Sequence, residues 1–210
     1  MSPYTTDITT TGIGKNAPSP RLALTLALVP LGAFLAVSGY AQWQLYIFLA
    51  GRRFPGFEQI DRISAPISAV FSQAIYLTVW FVSVLGTAML ARLWAGDRPE
   101  VTLRRIVIAA GTAASMNLIG ALVNLRIVLE MTTAEYVTNT SIVEALARVS
   151  VLTIAVRMAA WLSSAALLIF LVRREFGWTM RAAASITLAP QLALLGLYTL
   201  IYFATNSPGR

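Results

Sequence analysis

Cysteine and histidine are both absent from the 210 residues. That absence removes disulfides, thiol nucleophiles, imidazole bases and any zinc or haem ligation through either side chain. Charge is scarce as well: Asp, Glu, Lys and Arg make up 12% of the chain, against roughly a quarter in soluble domains. The nine acidic residues all fall in the tail, in loops or at segment ends. No carboxylate is therefore placed to carry a proton or hold sodium within a membrane, and none pairs for hydrolysis. Neither GxxxxGK[ST] nor GxGxxG occurs, so nucleotide binding through those loops is excluded. The expectation is a protein that is not an enzyme and needs no cofactor or metal. Lysine is nearly absent too, with fifteen arginines to one lysine, which points to a GC-rich, bacterial genome.

What the chain has in abundance is apolar length. Hydrophobic residues make up 57% and the mean hydropathy is +0.70, the composition of an integral membrane protein. The fold class expected is all-α, a polytopic bundle of about five transmembrane helices. Most basic residues stand at the ends of apolar runs. They read as topology signals and lipid headgroup contacts, with no nucleic acid partner.

Residues 1–20 are rich in Ser, Thr, Gly and Pro without apolar periodicity, and read as a flexible cytoplasmic tail that is not a signal peptide. A single helical domain, residues 21–204, follows, with a short external C-terminus at 205–210. Its spans cover about 22–50, 67–93, 106–129, 151–172 and 182–203. The first is longer than a bilayer core needs and carries Pro30, Tyr40, Trp43 and Tyr46. Tilt, a kink or an interfacial end would each accommodate it. Between spans three and four, residues 130–150 show two capping-box spacings, Thr132 with Glu135 and Ser141 with Glu144. They predict a short amphipathic helix leading into span four. The sequon at Asn139 is expected to go unused in a bacterial chain.

Alternate loops carry unequal positive charge. With the N-terminus inside, nine basic residues face the cytoplasm: Lys15, Arg21, Arg92, Arg98, Arg104, Arg105, Arg173, Arg174 and Arg181. Six face outward: Arg52, Arg53, Arg62, Arg126, Arg148 and Arg210. The excess favours a cytoplasmic N-terminus and an external C-terminus in the inner membrane. Arg98, Arg104, Arg105, Arg173, Arg174 and Arg181 are then the candidate contacts for anionic lipid headgroups.

The remaining basic residue, Arg157, falls inside span four. At 1.5 Å per residue it lies about 24 Å from Arg173, within snorkelling reach of the outer surface. Asn117 lies about 18 Å and Asn124 about 28 Å from Arg105, while Tyr76 and Gln73 lie about 24 and 28 Å from Arg92. Asn117 and Asn124 share a helical face, and a hairpin of spans three and four could aim them at Arg157. Arg157, Asn117, Asn124, Gln73 and Tyr76 are thus a candidate intramembrane polar cluster, either as glue between helices or as the lining of an outward-facing cavity.

Small residues predict close helix contacts: Gly111, Ser115 and Gly120 in span three, and Ala160, Ser163 and Ser164 in span four. Pro190 frees the carbonyl of Ile186, which Thr187 or Gln191 could satisfy.

The stretch LARLWAGDRPEVTLRRIVIAAGTAASMNLIGALVNL, residues 90–125, resembles the part of Yip1-domain membrane proteins where a span ends at a Gly-containing basic turn. LVRREFGWTMRAAASITLAPQLALLGLY, residues 171–198, is similar to that family's tight link between its last two spans. Two departures stand out: the usual glycine pair of the turn is the single Gly96, and the early proline of the next span is replaced near Ala114-Ser115. The resemblance implies a non-enzymatic, oligomeric scaffold or partner-binding protein and carries over no catalytic residue. An accessory subunit of a larger membrane complex and a small permease or lipid-handling component are the alternatives. Membrane lipids and copies of itself or other membrane proteins are the expected partners.

Overall fold

Long apolar runs punctuated only at their ends form helices, because an α-helix satisfies every backbone N–H and C=O within one segment. A computed structural model describes residues 20–51, 64–95, 99–133 and 141–206 of this chain. Its helices are α1 (Pro20–Gly51), α2 (Ser64–Ala95), α3 (Pro99–Thr133), α4 (Ser141–Phe176) and α5 (Met180–Asn206). All five are long and apolar enough to cross a membrane, and no strand occurs among the described residues. The tail 1–19, Arg98, Glu135, Asn139 and residues 207–210 lie outside the described residues.

The helices outrun the spans expected from hydropathy. At 35 and 36 residues, α3 and α4 are about 53 and 54 Å long, well past a hydrocarbon core of about 30 Å. The short helix expected between spans three and four is no separate element. From Ser141, the first residue of the second capping spacing, α4 runs unbroken through span four. The first spacing fails for a local reason: Thr132 sits in the last turn of α3, its hydroxyl donating to the Leu129 carbonyl at 3.1 Å. A threonine hydroxyl turned back into its own helix cannot cap the next one.

The turn from α4 to α5 is sharply defined. Gly177 takes φ 65°, the left-handed conformation that ends a helix cheaply only at glycine. Thr179 then caps α5, its hydroxyl accepting from the Ala182 N–H at 3.3 Å and its carbonyl from Ala183 at 3.0 Å. Phe176 and Trp178 stack across this turn with ring centroids 4.6 Å apart, and the Arg105 guanidinium lies 5.7 Å from the Phe176 ring centroid. Arg92, Arg105, Arg173 and Arg181 thereby mark one end of the bundle.

Helix α3 is the centre. In its apolar stretch 44% of the residues are buried, against 22% or fewer in each other helix. It packs on α1, α2 and α4, while α5 packs on α2 and α4. Helices α2, α3, α4 and α5 therefore close a ring, and α1 lies outside it against α3 and α2. Missing side chains set the approaches. A Cβ on Gly111 would collide with the Ala27 carbonyl oxygen of α1. One on Gly120 would stand 2.5 Å from the Ala160 methyl of α4, and one on Gly86 would stand 2.9 Å from Pro190 of α5.

Burial is uneven along the ring. Near the arginine-rich end Ala91, Ile106, Val172 and Ala183 pack into one fully buried core. Along α5, Ala183, Ile186 and Thr187 are buried, but beyond Pro190 Leu192, Leu195, Leu197, Tyr198 and Leu200 are exposed. The ring of α2, α3, α4 and α5 is packed at its arginine-rich end and open along the far half of α5.

Candidate functional site

Above the packed core, α2, α3, α4 and α5 enclose a cavity of about 530 Å³. That volume falls in the range of small-molecule sites, roughly 300–1,000 Å³. Small side chains make the space: Ala110 and Ala113 of α3 and Ala165 of α4 face it where larger residues would fill it. Trp80 of α2 and Trp161 of α4 contribute the large aromatic surfaces. Leu192, Leu195 and Tyr198 of α5 line it and are themselves more than half exposed, so the mouth lies along the open half of α5.

A short chain of polar groups crosses the cavity wall. The Asn117 amide nitrogen donates to the Tyr76 hydroxyl oxygen at 3.1 Å and to Ser164 Oγ at 3.3 Å. Ser164 in turn donates to the Ala113 carbonyl at 3.0 Å. Measured from Arg105, Asn117 lies about 18 Å along its helix, and Ser164 lies about 14 Å from Arg173. These groups therefore sit in the middle third of a bilayer core. No Asp, Glu, Lys or Arg lines the cavity among the described residues.

The five residues expected to form one polar cluster are divided among three seams. Tyr76 and Asn117 meet, with Ser164 as the third member. Asn124 is buried between α3 and α4, where its side-chain oxygen accepts from Thr153 at 2.9 Å. Gln73 belongs to a seam between α1 and α2, donating at 3.2 Å to Gln42, which itself donates to Ser72 and Tyr46 at 3.0 and 2.7 Å. Arg157 joins none of them. Its side chain is exposed, and no hydrogen bond or ion pair engages it among the described residues.

The reason is local competition. Asn117 has nearer partners for both its amide hydrogens, and Asn124 takes Thr153, four residues before Arg157. Thr153, Ser164, Gln42 and Ser72 are the partners that depth arithmetic missed. Thr153 and Ser164 stand opposite the two asparagines once α3 and α4 are laid antiparallel, which is the signal that could have found them. Pro190 also differs from expectation. Among the described residues neither the Thr187 hydroxyl nor the Gln191 amide makes a hydrogen bond, and Thr187 Oγ1 and Gln191 Oε1 are buried. Gln191 instead belongs to the cavity lining.

Among the candidate headgroup contacts, Arg104, Arg173, Arg174 and Arg181 are exposed at the arginine-rich end, Arg105 is exposed beside Phe176, and Arg98 lies outside the described residues. At the other end Arg126 and Glu130, both exposed, pair at 2.7 Å within one turn of α3.

The exposed Arg157 leads to a direct expectation. Arg157→Leu removes no described bond and should leave the melting temperature of the purified protein within about 2 °C, as exposed substitutions do. A fall of about 6 °C or more in a thermal melt would assign Arg157 a buried partner.

No protein-family model matches this chain, no curated protein is significantly similar to it, and no solved structure matches its fold.

Proposed function

We propose that this chain is a non-enzymatic membrane protein that takes a lipid into the cavity between α2, α3, α4 and α5, reached sideways from the bilayer. The observation that carries this reading is a cavity of about 530 Å³ at mid-membrane depth, apolar on most of its wall and open along α5. An apolar cleft of this size with a few convergent polar groups is the form that ligand sites take. Its mouth faces hydrocarbon, so the molecules that reach it are those already in the bilayer.

The sequence supports the same reading, since a chain without cysteine, histidine or an intramembrane carboxylate has little with which to do chemistry on a ligand. The positive charge balance supports placing the arginine-rich end in the cytoplasm. There Arg104, Arg173, Arg174 and Arg181 would hold anionic headgroups. The cavity favours lipid handling over the scaffold role that the Yip1-like resemblance implies, because a scaffold calls for no internal space.

Extraction of the protein purified in mild detergent tests the proposal. One lipid class should accompany the chain at about one molecule each and survive exchange into fresh detergent. Lipid that falls to the composition of the bulk micelle on exchange would overturn it.

A further inference from the structure

The hydrogen bonds at the cavity wall select a particular kind of head. Ser164 has one proton, and it goes to the Ala113 carbonyl. Its oxygen can therefore only accept from Asn117, which fixes that amide with its nitrogen toward Ser164 and Tyr76. Both amide hydrogens are then engaged, and the Tyr76 oxygen is an acceptor in its bond to Asn117. Two capacities are left over on neighbouring groups. The Tyr76 O–H proton is donated to nothing among the described residues, and the Asn117 side-chain oxygen accepts from nothing. Both residues line the cavity.

Resting on the lipid-binding reading above, we infer that the cavity's ligand is an uncharged lipid alcohol, whose hydroxyl accepts from Tyr76 and donates to the Asn117 side-chain oxygen. A hydroxyl is the simplest neutral group that is donor and acceptor at one atom. An ester or ketone carbonyl, which only accepts, would meet Tyr76 and leave the Asn117 oxygen bare. A phosphate head is excluded by charge. At mid-membrane depth an anion needs a cationic partner, and the cavity lining carries none. The apolar walls and the mouth along α5 take the tail.

The test uses the full chain in detergent and three tritiated probes of equal length: a sixteen-carbon alcohol, its methyl ether and the parent alkane. The wild type should bind the alcohol about tenfold more tightly than the ether. Tyr76→Phe removes the bond that both oxygens accept, so it should bring alcohol binding down to about the level at which the wild type binds the ether, weaken the ether as well, and leave alkane binding unchanged, which also reports that the variant is folded. Equal binding of alcohol and ether by the wild type, abolished by Ala165→Phe, would overturn the hydroxyl assignment and leave the lipid cavity standing. Alcohol binding that Tyr76→Phe leaves as tight as in the wild type would likewise overturn the assignment. Failure of all three probes to bind would remove both readings.

Discussion

Gly111→Leu should lower the melting temperature of the purified protein by at least about 6–12 °C or prevent its recovery as a single species. Even one added carbon at this position meets the Ala27 carbonyl oxygen, and a backbone atom cannot rotate aside. Overpacking costs about 1–3 kcal/mol where side chains can yield, and a backbone clash stands at the top of that range. About 3 kcal/mol converts to that temperature shift in a chain of this size. Gly32→Leu on α1 is the matched control. Nothing lies within 4 Å of a Cβ at Gly32, and its melt should stay within about 2 °C of wild type. Equal melts for the two variants in a thermal-shift assay would refute the close approach of α1 and α3.

The second large effect is on occupancy. Ala165 is buried on α4 and faces the cavity, so Ala165→Phe puts an aromatic ring where the ligand would lie. Bound lipid should fall about tenfold or more. Stability should hold or rise, because filling a void commonly adds about 0.5–2 kcal/mol. Leu162→Phe, three residues away at an exposed position, should change neither quantity. Quantitative lipid extraction with a parallel thermal melt separates the outcomes. Loss of lipid together with a large loss of stability would mean that the ring broke the bundle rather than filled it.

The five helices could be read from the chain because hydropathy over twenty residues is a strong signal, and few polar groups interrupt it. Close helix contacts were legible too, since Gly111 and Gly120 show where backbones approach. The ends were less so: nothing in a hydropathy profile stops α3 at 129 or keeps α4 from starting at Ser141, because helix continuation into water costs little. The polar cluster was legible by depth alone. Depth puts Tyr76 between Asn117 and Asn124, but it says nothing of rotation about each helix axis. Rotation is what sends Asn124 to Thr153, Gln73 to Gln42, and Arg157 to the exterior. A cavity beside Asn117 and Tyr76 was one of the two readings of the polar cluster, but its apolar walls were hidden, since they arise from alanines on two helices that are adjacent only after folding.

That cavity is the centre of the account, and photo-crosslinking in the bilayer tests it most directly. The full chain is reconstituted with a lipid carrying a diazirine in its tail, illuminated, digested and mapped by mass spectrometry. Adducts should concentrate on cavity residues such as Val84, Leu168 and Leu195, above the level at outward-facing Val70 and Phe71 of α2. Ala165→Phe should remove the excess. Adducts spread evenly over all lipid-facing residues, with no enrichment at Val84 and Leu168, would contradict a lipid within the ring.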